Sequence, residues 1–89
     1  MKQLIDMKVT FYSKVGCEAC NIAHKNIVEA LSEINDYVSF EVVFDKQRIE
    51  ENKIKEFPTV VLQNDIFKRK VVGSFSKDYI LEKINAMLH

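Results

Sequence analysis

Lys8-Val9-Thr10-Phe11-Tyr12-Ser13-Lys14-Val15-Gly16-Cys17-Glu18-Ala19-Cys20 is the stretch on which the reading of this chain turns. Its first half, Lys8 to Ser13 (KVTFYS), is rich in β-branched and aromatic residues and reads as a strand. Gly16 breaks that strand. From Cys17 the pattern becomes helical. Cys20, Ala23, Ile27, Ala30, Leu31 and Ile34 recur at spacings of three or four, with Lys25, Asn26, Glu29 and Glu33 on the other side. A strand thus feeds an amphipathic helix, and two cysteines stand at the junction.

Further along, Asn35-Asp36 is the expected helix stop, and Val38 to Phe44 (VSFEVVF) reads as a second strand. Asp45 is placed to cap a short polar helix running to about Lys55. Thr59 to Gln63 (TVVLQ), directly after the only proline, reads as a third strand. Asn64-Asp65 turns the chain, and Ile66 to Val72 returns as a fourth strand of a hairpin. Ser76 then reads as an N-cap with Asp78 in the first turn, and Ile80, Leu81, Ile84, Met87 and Leu88 form one apolar face of a last helix. The order is β-α-β-α-β-β-α. An opening β-α-β crossover implies two parallel strands joined with right-handed sense. The later hairpin adds antiparallel strands. The expected class is α/β, a four-stranded mixed sheet with three helices on its faces.

The 89 residues suffice for one domain, taken as residues 1–89. Apolar residues at 47% and charged residues at 29% describe a globular chain, not a disordered one. The 13 basic and 13 acidic residues cancel, which argues against a nucleic-acid partner. Lys68-Arg69-Lys70 reads as the solvated tip of the hairpin. The first six residues (MKQLID) contain no apolar stretch of signal-peptide type, and no apolar run reaches membrane-span length. A cytoplasmic protein without a membrane partner, a monomer, is the expectation. In a reducing compartment, two cysteines three apart are catalytic or metal-binding rather than a permanent staple.

Position explains why the spacing of Cys17-Glu18-Ala19-Cys20 matters. At a helix start, unpaired N–H groups and the helix dipole favour negative charge. A thiol there ionises more readily, and the thiolate is the reactive form. Cys20, one turn on, lies on the same side and can attack a mixed disulfide formed at Cys17. Cys17 is then the nucleophile and Cys20 the resolving thiol, the more buried of the two. Lys14 would favour the thiolate and Glu18 would oppose it. A metal reading stands beside this one: Cys17, Cys20 and His24 lie on neighbouring turns, although a closed zinc site needs four ligands. The plainer reading of His24 is an exposed helix residue.

Tyr12-Ser13-Lys14-Val15-Gly16-Cys17-Glu18-Ala19-Cys20 resembles the glutaredoxin pattern of a strand ending in Tyr-Ser/Thr-Lys, two residues, then CxxC. Ile54-Lys55-Glu56-Phe57-Pro58-Thr59 resembles the cis-proline segment in its thioredoxin form, with Thr after Pro. Val72-Gly73-Ser74-Phe75-Ser76-Lys77-Asp78 resembles the Gly-containing segment of both groups. The chain is thus similar to the glutaredoxin/thioredoxin family from Lys8 to Leu88, and the resemblance implies the thioredoxin fold. It departs in carrying Glu-Ala between the cysteines, Gly16 in place of the preceding Trp of thioredoxins, and no acid on the first strand.

The resemblance implies that Phe57 and a cis Pro58 pack beside the cysteines, with the Phe57 backbone free to pair with a peptide or glutathione. It makes Lys14, Phe57, Pro58, Thr59, Gly73 and Ser74 the substrate-binding set. Gly73 would permit close backbone approach, and Ser74, Ser76 and the helix N-terminus would hold a carboxylate. A strand-initiating proline and a plain Gly-Ser turn are the structural alternatives. Val15 and Phe57 would form an apolar docking patch.

The expected activity is thiol–disulfide oxidoreduction on protein or glutathione mixed disulfides, at roughly −200 to −270 mV. No cofactor is expected beyond glutathione as co-substrate. The partners would be disulfide-containing proteins and a recharging reductase or glutathione. Lys14 favours the glutathione-linked role; Thr59 and the Val-Gly/Ser-Lys segment favour protein substrates. The competing classes are a metal or iron–sulfur module at Cys17 and Cys20, and a non-catalytic interaction domain.

Overall fold

Seven elements follow one another in the expected order: β1 (Met7–Tyr12), α1 (Glu18–Leu31), β2 (Val38–Val43), α2 (Lys46–Glu51), β3 (Thr59–Gln63), β4 (Lys68–Val72) and α3 (Lys77–Leu88). They are seen in a computed structural model that describes residues 6–88. The leader reading of residues 1–6 therefore falls outside the described residues except at Asp6, and terminal His89 lies outside them altogether.

The strands form one sheet in the order β2-β1-β3-β4. β1 runs parallel to β2, with Phe11 opposite Val42, and antiparallel to β3, with Phe11 opposite Val60. β3 and β4 are antiparallel, with Thr59 opposite Val72 and Val61 opposite Lys70. Successive residues of a strand point to opposite faces, and the core divides accordingly. Val9, Phe11, Val60 and Leu62 join the buried stripes of α1 and α3 in the larger cluster. Tyr12, Val43, Ile54 and Val61 form a smaller cluster on the other face, against which Ile49 of α2 packs. Burying each large aliphatic side chain of this kind stabilises the fold by about 1.5–3 kcal/mol.

The boundaries move for local reasons. α1 ends at Leu31, short of the expected stop at Asn35-Asp36. Glu33 and Ile34 donate their N–H groups to the Ala30 and Leu31 carbonyls in tighter turns, while Ile34 still packs on the core. α2 ends at Glu51 and not near Lys55. The Lys53 N–H donates to the Glu50 carbonyl and the Ile54 N–H to the Ile49 carbonyl, both at 3.0 Å, with Lys53 at φ +56°. This is a Schellman stop, with a lysine where glycine is usual.

The hairpin loop spans residues 64–67, because Asn64 organises it. Its Oδ1 accepts the N–H groups of Ile66 at 2.8 Å and Phe67 at 2.6 Å, and its Nδ2 donates to the Met87 carbonyl of α3 at 2.9 Å. β4 therefore starts at Lys68, not Ile66, and Lys68-Arg69-Lys70 is edge strand, not hairpin tip. A charged edge discourages pairing with other chains. α3 opens as expected, with the Ser76 hydroxyl accepting the Tyr79 N–H at 3.1 Å. Among the described residues, no helix is long and apolar enough to cross a membrane.

Candidate active site

Cys17 is the N-cap of α1, with extended backbone angles (φ −98°, ψ 104°) that place its side chain over the first turn. Its Sγ accepts the Cys20 N–H at 3.1 Å. The two cysteines are joined as a disulfide with Cα atoms 5.2 Å apart, within the usual range for such a bond. Cys17 is half-buried, whereas Cys20, on the apolar stripe of α1, is 1% exposed. The ordering expected from the helical pattern is present: a half-buried cysteine at the positive end of a helix, and a buried one a turn behind it. When the bond is reduced, the same N–H and helix end favour the Cys17 thiolate. Exposed Glu18, in the first turn, works against it.

The Phe57–Pro58 bond is cis. Pro58 is buried, and half-buried Phe57 packs, like Cys17, against the cluster that contains Cys20. The Lys14 ammonium lies over the Phe57 ring, 5.5 Å from its centroid, a cation–π arrangement. Lys14 is thereby tied to the proline loop while its charge remains in solvent. Val15 is exposed, and Phe57 is half-buried with the Lys14 ammonium over its ring.

The remaining expected residues divide. The Thr59 side chain is 1% exposed, and its hydroxyl donates to the Glu56 carbonyl at 2.7 Å. Its hydroxyl thus closes the turn ahead of Pro58. The Gly73 N–H donates to the Pro58 carbonyl at 2.9 Å, which joins the two loops. Gly73 has φ +90°, and a Cβ there would meet nothing within 4 Å. The glycine answers a backbone requirement, and the space a Cβ would take is open. Ser74 is exposed and, with Val72, Phe75 and Tyr79, lines a surface cavity of about 310 Å³. Ser76 is engaged as the α3 cap.

Asn26, read from sequence only as part of the polar side of α1, donates through Nδ2 to the Phe75 carbonyl at 2.9 Å. It fixes the Gly73–Ser76 segment to the helix that carries the cysteines. Only a contact across 49 residues reveals that role. His24 is exposed, as the plainer reading had it, and stacks with Phe11 and Phe40 at centroid distances of 5.9 and 5.8 Å. Among the described residues, no group of three His, Cys, Asp or Glu side chains is gathered as metal ligands. The Cys17–Cys20–His24 ligand set is therefore not assembled. The buried polar residues described are Thr10, Ser13 and Thr59, so no carboxylate lies buried beside Cys20.

No family model matches the chain, and no curated protein matches it. Solved structures do. Chloroplastic thioredoxin z superposes with a TM-score of 0.84 at 14% identity, over 91% of this chain and 77% of that one. The thioredoxin of Malassezia sympodialis gives 0.74 at 22% identity, over 94% and 76%. Mitochondrial thioredoxin 3 of Saccharomyces cerevisiae, in its oxidized form, gives 0.79 at 19% identity, over 92% and 79%. The chain has the thioredoxin fold, with a CxxC pair at the start of its first helix. These neighbours are thioredoxins, and they lend nothing to a glutaredoxin-type site in particular.

Proposed function

We propose that this protein is a thiol–disulfide oxidoreductase working through Cys17 and Cys20. One observation carries the reading: the Cys17 sulfur sits at the N-cap of α1, accepts the Cys20 N–H, and is paired with Cys20. In the reducing direction, the Cys17 thiolate attacks one sulfur of a substrate disulfide. That S–S bond breaks, and the departing sulfur takes a proton. Cys20 then loses its proton and attacks Cys17 of the mixed disulfide. The Cys17–Cys20 bond forms, and the second substrate thiol leaves. Two electrons pass to the substrate. With no buried acid beside Cys20, its proton passes to the leaving thiolate or to water.

The substrates would be disulfide-containing proteins or glutathione mixed disulfides, held between the Phe57–Pro58 loop, Lys14 and the Gly73–Ser74 segment. A separate reductase or glutathione would restore the dithiol. No resident cofactor enters this chemistry. The protein would act in a reducing compartment such as the cytoplasm, as a monomer.

The test is equilibration in dithiol redox buffers with free thiols counted, for wild type and Cys17→Ser. A reversible two-electron transition between roughly −150 and −300 mV, absent in the variant, is the expected result. No intramolecular disulfide under oxidising conditions would overturn the mechanism.

A further inference from the structure

Lys68-Arg69-Lys70 is not absorbed by the redox chemistry, and its third residue lines a cavity. Lys53, Ile54, Lys55, Glu56, Thr59, Lys70 and Val72 enclose about 260 Å³ on the α2 face of the sheet. Three segments build it. Lys53 and Lys55 come from the link that follows the early stop of α2. Thr59 is the first residue of β3. Lys70 and Val72 alternate on β4 and so share a face. Lys70 stands opposite Val61 of the smaller cluster, which fixes that face as the one α2 covers. α2 stops at Glu51 and leaves this corner open.

The cavity lining carries an excess of positive charge. Lys53, Lys55 and Lys70 are exposed, and among the described residues none forms an ion pair. Glu56 is the one acidic residue in the lining. The neighbouring cations are engaged elsewhere: Arg48 pairs with Glu41, and Lys14 lies over Phe57. Three lysines against one glutamate leave the lining with a net positive charge, which an anion would offset. Location indicates which anion. Thr59 directly follows Pro58, and Val72 directly precedes Gly73, the pair joined by the Gly73 N–H to Pro58 carbonyl bond. Two residues of the lining are thus the immediate chain neighbours of the two loops that border the cysteines.

We infer that this cavity is a docking subsite for an acidic side chain, Asp or Glu, of the disulfide-bearing protein that reacts at Cys17. The inference rests on the oxidoreductase reading for its context. An extended substrate segment crossing the Pro58–Gly73 junction runs on into the lysine cluster. Charge at this place selects among substrates and speeds encounter.

The test uses two disulfide peptides that differ only in flanking residues, Asp/Glu in one and Asn/Gln in the other. Wild type is compared with a variant carrying Lys53→Gln, Lys55→Gln and Lys70→Gln. At low salt, wild type should favour the acidic peptide about tenfold in kcat/KM, and the preference should shrink at high salt as the charges are screened. The variant should lose the preference and keep wild-type rates on the neutral peptide. A wild-type preference that is absent, or that survives in the variant, overturns the proposal. Failure to reduce either peptide would instead sink the oxidoreductase reading. The cavity is then decided by binding alone, by NMR titration with the acidic peptide in which both cysteines are serine. Amide shifts over residues 53–56 and 70–72 that vanish in the variant support the subsite; no shifts there overturn it.

Discussion

The two faces of the sheet are built to different standards. On one, α1 and α3 bring Ala23, Ile27, Ala30, Ile80 and Ile84 down onto Val9, Phe11, Val60 and Leu62, and all of these are sealed from solvent. On the other, α2 contributes no buried residue, and Ile49 only packs against the small cluster of Tyr12, Val43, Ile54 and Val61. The well-covered face carries Cys20, 1% exposed. The thinly covered face is left open at the corner where the lysines gather. Dense packing encloses Cys20, and thin cover leaves an open cavity at the other corner.

The contrast breaks first where burial is deepest. Ile27→Ala should lower unfolding free energy by about 3–4 kcal/mol. Ile49→Ala, at a half-buried site, should cost about 1 kcal/mol. Urea unfolding of both variants checks the pair, and equal losses would mean that the α2 face is as tightly built as the other. Between these values falls Asn26→Ala. It removes the donor to the half-covered Phe75 carbonyl and should cost about 1–2 kcal/mol. The same change should raise KM more than it lowers kcat in a disulfide-reduction assay, because the Gly73–Ser76 segment loses its anchor. An unchanged KM would leave Asn26 with a purely structural part.

On the thin face a gain is available at Lys53. Its φ of +56° puts a side-chain-bearing residue in the left-handed region, where glycine carries no Cβ penalty. Lys53→Gly should therefore stabilise the protein by about 0.5–1 kcal/mol, offset in part by the looser unfolded chain. A drop in denaturation midpoint would show that the lysine earns its place in the fold through contacts of its stem.

Legibility in the sequence follows the same division. α1 and α3 were readable because a long helix under a sheet needs a repeated apolar stripe, and Cys20, Ala23, Ile27 and Ala30 supply one. The CxxC pair was readable because strand, glycine and helix converge on it. The sequence pattern overextends α2 because six residues with no buried side chain carry no periodicity, and its stop is set by Lys53, a residue type that gives no stop signal. The pattern starts β4 at Ile66, ahead of its true start, because the pull of Asn64 on the Ile66 and Phe67 N–H groups is a side-chain event; Ile66, 80% exposed, looks like a strand residue on composition alone. The roles of Asn26 and of the lysine cavity depend on contacts between distant segments, which no local pattern announces.

The smallest expected effect lies back on the dense face, at its rim. Lys77, at the start of α3, pairs with Glu33 beyond the end of α1. The hydrogen bond and charge of Glu33 hold the Lys77 ammonium above its ordinary pKa. A raised pKa in the folded state means that folding favours the protonated lysine. The contribution is complete below the unfolded value of ~10.4 and is lost as pH rises through the higher folded value. Exposed pairs are screened and weak, so the core variants should dwarf this one. Its signature is its pH dependence. Wild type should lose stability above pH ~10 by slightly more than Lys77→Met does, and the gap between them should close in high salt. Identical alkaline slopes would mean that the two helices are held together by Ile27, Ile80 and Ile84 without help from charge.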